Sequence, residues 1–168
     1  GEAGEGGVDG GEPAPNGAQD HIVHQSPWTA GILDRPRPGA PIATLVDVRT
    51  GRHPDFDRVV FEFADRAPGV HTEYIDRPVR QCGSGNVVEI AGDGWLEVRM
   101  SPAAAHTEAG EPTVAERERM PGLPVLAELE RTCDFEGIVT WVLGVRSPNR
   151  YRLLELRDPP RLVVDVRH

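Results

Sequence analysis

The chain contains no lysine: all 18 of its basic residues are arginine, the bias of a GC-rich genome, from which no mechanism follows. It also lacks a basic surplus. Its 27 acidic residues leave a formal net charge of −9, which argues against nucleic-acid binding, because neutralising phosphates takes a basic face. There is no run of about 18 apolar residues and no charged-then-apolar leader, so neither a transmembrane helix nor a signal peptide is expected within these residues. Cysteine is scarce, with two residues. A complete catalytic signature is missing as well. An enzyme would need a concave pocket with convergent titratable groups, for which His53, Asp57 and His106 are the nearest candidates, and the expectation is a non-catalytic protein without a cofactor.

What is present is 168 residues, 38% hydrophobic and 27% charged, long enough for one domain with a core and too short for two. Residues 1–25 open GEAGEGGVDGGEPAPNGAQD, with almost nothing to bury, and read as a disordered tether. Such a tether reaches about 25–30 Å as a random coil. Residues 26–41 read as an extended arm packed on the domain. Trp28, Ile32 and Leu33 sit there among Pro27, Pro36, Pro38 and Pro41, and Trp28 is expected to be half-buried. His21 and His24 have a metal-like spacing but no accompanying cysteine or carboxylate set, so no metal site is expected.

The domain itself is expected over residues 42–168. IATLVDVRT alternates as a strand, and DRVVFEFA puts Val59, Phe61 and Phe63 on one face of the next. VHTEYI follows after Pro68-Gly69 as a third strand. Gly83-Ser84-Gly85 is a hairpin corner rather than a phosphate cradle, since neither a lysine nor a capped helix follows it. NVVEI and WLEVRM are expected to pair as a compact hairpin about Gly92-Asp93-Gly94. Residues 101–122 form a long irregular connection read as a flexible loop, in which VAERERM could make a helical turn; His106 and Glu108 within it are solvated. VLAELERT suits a helix face or a strand face and is read as the hairpin partner of GIVTWVLGV across DFEG. YRLLELR and RLVVDVR close the chain as strand, corner and strand, with Pro159 and Pro160 ending the first. Eight or nine short strands with little helix make an all-β fold, an antiparallel β-sandwich or partly closed barrel.

Cys82 and Cys133 each adjoin an expected turn. They are either two free thiols or a disulfide, which would close a loop of about fifty residues and stabilise by about 4 kcal/mol in the chain-entropy model. An exported chain would permit it.

RTGRHPDFDRVVFEF, the GSG at 83–85, DFEGIVTWVLGV and RDPPRLVVDV, in that order, resemble the AMIN-like domain of actinobacterial lipoproteins, related to AMIN modules that target envelope proteins to peptidoglycan or the periplasm. The resemblance implies an exported, non-catalytic domain at the outer face of the cell membrane or in the wall space. Its partners would be peptidoglycan or envelope proteins, with the membrane reached only through a lipid anchor on residues outside this sequence. A glycan or stem-peptide site wants planar donors and acceptors on a rigid sheet, with an aromatic ring for the sugar face. Arg49, His53, Asp57 and Arg58 lie on one expected hairpin and Arg161, Asp165 and His168 on the last strand. If those strands are neighbours, the seven residues form a polar cluster. They are a ligand site or a set of structural ion pairs, and Trp141 belongs to the core. An interaction module that adds a partner strand at a sheet edge is the alternative function.

Overall fold

The computed structural model describes residues 21–168. Fourteen strands follow one another in this part of the chain: β1 (Ile22–Gln25), β2 (Leu33–Arg35), β3 (Ala43–Arg52), β4 (Phe56–Phe63), β5 (Gly69–Ile75), β6 (Val79–Arg80), β7 (Val87–Val88), β8 (Gly94–Ser101), β9 (Ala103–Ala104), β10 (Glu118–Arg119), β11 (Leu126–Phe135), β12 (Ile138–Val145), β13 (Tyr151–Leu156) and β14 (Arg161–Arg167). They form one sheet in the order β1-β13-β14-β4-β3-β9, a second in the order β10-β11-β12-β8-β5-β2, and a separate β6-β7 ribbon. All pairings are antiparallel except β3 with β9. The all-β sandwich expected from sequence is what forms, with more strands than expected.

The period-two pattern of FDRVVFEF explains the first sheet. Asp57, Val59, Phe61 and Phe63 turn inward, and Arg58, Val60 and Glu62 turn out. Their inward row meets Leu96, Val98, Met100, Leu129, Trp141 and Leu143 from the second sheet, all fully or almost fully buried. Trp141 is 0% exposed and lies 6.1 Å from Phe61 between ring centroids. Two runs do not alternate, because each sheet is covered on its outer face as well. Val142 packs outward with Val79, Ile90 and Trp95 beneath the β6-β7 ribbon, and Val163 packs outward with Leu154 and Leu156 beside Ile22 and Val60.

The arm does more than pack. Ile22–Gln25, assigned by composition to the tether, is the edge strand of the first sheet on β13, and Leu33–Arg35 is the edge strand of the second on β5. Between them, Ser26 N donates to Leu153 O, Leu153 N to Ser26 Oγ and Thr29 N to Tyr151 O, each at 2.9 Å. The buried Tyr151 hydroxyl donates to Gly31 O at 2.7 Å. The tether expected over residues 1–20 lies outside the described residues.

NVVEI and WLEVRM do not pair with each other. β7 pairs with β6 about the Gly83–Gly85 corner, and β8 runs between β5 and β12. The reason is a close approach. A Cβ on Gly144 would stand 2.0 Å from Ala91 O, and Asp93 N donates to Val145 O at 2.8 Å, so the Gly92-Asp93-Gly94 segment lies over the end of β12 instead of turning a hairpin. Nor does VAERERM make a helical turn: it passes through bends into β10, whose Glu118 and Arg119 pair with Glu130 and Leu129. Glu136 and Gly137, both at positive φ, form the two-residue β11-β12 turn.

Candidate functional site

β14 lies between β13 and β4, and its register sets Asp165 opposite both Arg152 and Arg58. The three side chains therefore meet on the outer face of the first sheet. Asp165 Oδ1 accepts from Arg58 Nε at 2.7 Å, and Oδ2 accepts from Arg58 Nη2 at 3.0 Å and Arg152 Nε at 2.9 Å. Asp165 is completely buried while both arginines keep about a fifth of their side chains in solvent. One carboxylate shared by two guanidiniums leaves the group net positive, and paired, hydrogen-bonded charge is the form in which burial is tolerated.

An aromatic layer covers this triad. Arg152 lies 4.5 Å from the Trp28 ring centre and 5.2 Å from that of Phe56, Arg167 lies 4.4 Å from Trp28, and Arg58 lies 5.4 Å from Phe56. Trp28 and Phe56 are tilted together at 5.9 Å, and His53 stacks on Phe56 at 4.8 Å. Burial, then the neighbouring Arg58 guanidinium, holds the His53 pKa below its ordinary 6.5, so the ring is neutral at neutral pH. The face thus offers rings and cations side by side, the combination that holds planar or sugar-like groups through stacking and forked hydrogen bonds. Trp28 is half-buried here, as the arm reading expected.

The other sequence candidates go elsewhere. Asp57 points into the sandwich, where Oδ2 accepts from Val125 N at 2.7 Å and Leu126 N at 2.9 Å, and His168 Nε2 donates to Oδ1 at 2.9 Å. It ties the two sheets together. Arg49 bridges Asp47 at 2.6 Å and Glu62 at 2.8 Å. Arg161 closes the proline corner by donating to Pro159 O at 3.0 Å and Arg157 O at 3.1 Å. Of the seven, His53, Arg58 and Asp165 come together, Asp57 and His168 form a separate pair, and Arg49 and Arg161 stand apart. Trp28, Phe56, Arg152 and Arg167 were missed. Arg152 was within reach, because folding the last two strands back on the Asp158–Pro160 corner sets it opposite Asp165.

Four further groups bear on ligands. Cys82 and Cys133 form a disulfide, 5.2 Å between Cα atoms. Glu118, Glu128 and Glu130 hold carboxylate oxygens within 4.8 Å of one another, the donor type of a hard cation, though Glu128 Oε1 already accepts from Ala91 N at 2.8 Å. His21 Nδ1 donates to Arg157 O at 2.8 Å. His106 Nδ1 donates to Asp134 Oδ2 at 2.9 Å, which sets it with Asp134 rather than with His53 or Asp57.

No curated protein and no solved structure matches the chain. A protein-family model does: that of the AMIN-like domain, over residues 43–168. The match leaves out β1, β2 and Trp28 and takes in both sheets otherwise, and the chain belongs to the AMIN-like domain family.

Proposed function

We propose that the chain is a non-catalytic binding module of an exported, lipid-anchored protein that attaches to the cell envelope, with peptidoglycan as its ligand. The observation that carries this reading is the outer face of the first sheet, where Trp28, Phe56 and His53 lie over Arg58, Arg152 and Arg167. Rings suit the apolar faces of sugars, and guanidinium forks suit the carboxylates of stem peptides. Membership of the AMIN-like family supports the envelope setting. Of this face, Trp28 comes from the arm ahead of the family match, and His53, Phe56, Arg58, Arg152 and Arg167 lie within it. The edge-strand alternative has less behind it. The four outermost strands are β1, β9, β10 and β2, of 4, 2, 2 and 3 residues, and short edges blunt strand addition.

The test is co-sedimentation of the purified chain with isolated wall sacculi at low and high salt, beside Trp28→Ala and the milder, surface-only Arg167→Gln. Saturable binding to wild type that both folded variants weaken is expected. Absence of binding at every salt concentration would remove peptidoglycan as the ligand.

A further inference from the structure

A second basic feature lies beside the disulfide. The outer edge of β11 is shared between two partners. β10 pairs with it as far as Arg131, whose N–H donates to Arg117 O at 2.8 Å, and the Gln81–Cys82 segment then takes over, with Cys82 N donating to Thr132 O at 3.0 Å. A cleft of about 270 Å³ opens at this junction, lined by Gln81, Gly83, Arg117, Arg131, Asp134 and Phe135 together with the disulfide. Its volume lies just under the range of pockets for whole cofactors or drug-sized molecules, and suits a single small group.

Arg117 and Arg131 are cross-strand neighbours of the same sign, an arrangement that repels. Among the described residues neither guanidinium has a hydrogen bond or ion pair. The nearby acids make their hydrogen bonds and close contacts elsewhere and act on these two arginines only through space, Asp134 on Arg131 and Glu130 on Arg117. Asp134, the one carboxylate lining the cleft, accepts from Ala105 N at 3.0 Å and from His106. Glu116 lies 3.7 Å from Arg119, and Glu118 and Glu130, the next pair along the ladder, join Glu128. Exchanging one arginine for one glutamate between these two rungs would make two ion pairs, yet the ladder keeps its charges segregated. Burial presses the Arg131 pKa downward, the Asp134 charge opposes that, and the Arg117 charge adds to it. Exposed Phe135 adds an apolar wall at the rim, and the disulfide fixes the Gln81–Gly83 side.

We propose that this cleft is a binding site for an oxyanion, the carboxylate or phosphate of a small or chain-terminal ligand, held between the Arg117 and Arg131 guanidiniums. An anion bridging the two converts their repulsion into two charge-assisted pairs. The site is separate from the aromatic face of the first sheet and does not depend on the wall-binding reading.

The experiment is calorimetric titration of the oxidised chain, at constant ionic strength with chloride as the reference anion. The probes are inorganic phosphate, an acetylated dipeptide with a free C-terminal carboxylate, and the same dipeptide as its amide. Saturable binding in the roughly millimolar range is expected for phosphate, for the free-carboxylate dipeptide or for both, and not for the amide. Arg117→Gln and Arg131→Gln should each weaken it by about tenfold or more, with unfolding midpoints equal to or above that of wild type. Phosphate alone binding names phosphate as the source, and the free dipeptide alone names a carboxylate. Binding that is equal in wild type and both variants, or absent for both anions, overturns the proposal.

Discussion

The two arginine pairs of this molecule invite comparison. Arg58 and Arg152 converge on a buried carboxylate, Asp165, Arg58 through Nε and Nη2 and Arg152 through Nε; Arg117 and Arg131 face each other across a ladder with no such acid between them. The first pair holds three strands in register and carries rings above it. The guanidiniums of the second make no hydrogen bond or ion pair among the described residues, and they line a cleft. The same residue type at cross-strand spacing is thus architecture in one place and an unfilled donor set in the other, and the deciding element is where the carboxylate sits.

The largest effect should come from breaking the satisfied pair. Asp165→Ala leaves two partly buried guanidiniums without their acid and should cost about 3–5 kcal/mol, read as a drop in the urea midpoint. A loss under about 1 kcal/mol would place the triad with ordinary surface ion pairs. Next, converting Cys82 and Cys133 to alanine should cost about 2–4 kcal/mol in the same measurement and loosen the cleft wall, weakening oxyanion binding, while wall binding by the aromatic face persists. Trp28→Ala removes two cation–π contacts and should cost about 1–2 kcal/mol, with faster amide exchange along β1. Arg117→Glu should move the other way. Giving Arg131 an opposite charge across the ladder should stabilise by about 0.2–1 kcal/mol, and a loss of stability instead would show that the guanidiniums already have a counter-charge.

The smallest effect is a pH dependence where the arm meets the second sheet. His71 lies on β5, with Nε2 2.6 Å from Glu73 and Nδ1 3.0 Å from Asp34 on β2. The hydrogen bond to Glu73, then that to Asp34, raises its pKa above 6.5. A raised histidine pKa means the folded form binds the proton more tightly, so this contribution is complete below about 6.5 and fades as pH rises through the raised value. Solvent screening keeps it to less than about 1 kcal/mol. Amide exchange over Leu33–Arg35 should quicken between pH 6 and pH 9 by more than the intrinsic rate, and His71→Gln should abolish that excess.

The legible parts of the chain were those whose pattern is local. The alternation of FDRVVFEF, the DFEG turn and the double proline each specify their own backbone, and each strand lies where its pattern sets it. The strands of the arm were hidden because their donors and acceptors are matched by β13 and β5, far along the chain, and nothing in a proline-rich segment announces that partner. The Gly92-Asp93-Gly94 turn misled because a bare Cα served a close crossing over Gly144, a requirement visible only once β12 is in place. The site divided in the same way. Asp165 and Arg58 were found as a possible pair of neighbouring strands. The rings above them come from Trp28 and Phe56, whose meeting depends on where the arm lands.

That landing also gives the molecule a mechanical order. The chain from His21 to Arg35 is fastened to β13 by β1, then by Ser26, Thr29 and the Trp28 stack, and last to β5 by β2. Tension drawn on the segment ahead of His21 reaches these fastenings one after another and can peel the arm while the β3–β14 body stays closed. Since Trp28 leaves with the arm, pulling would dismantle the aromatic face before it unfolds the domain.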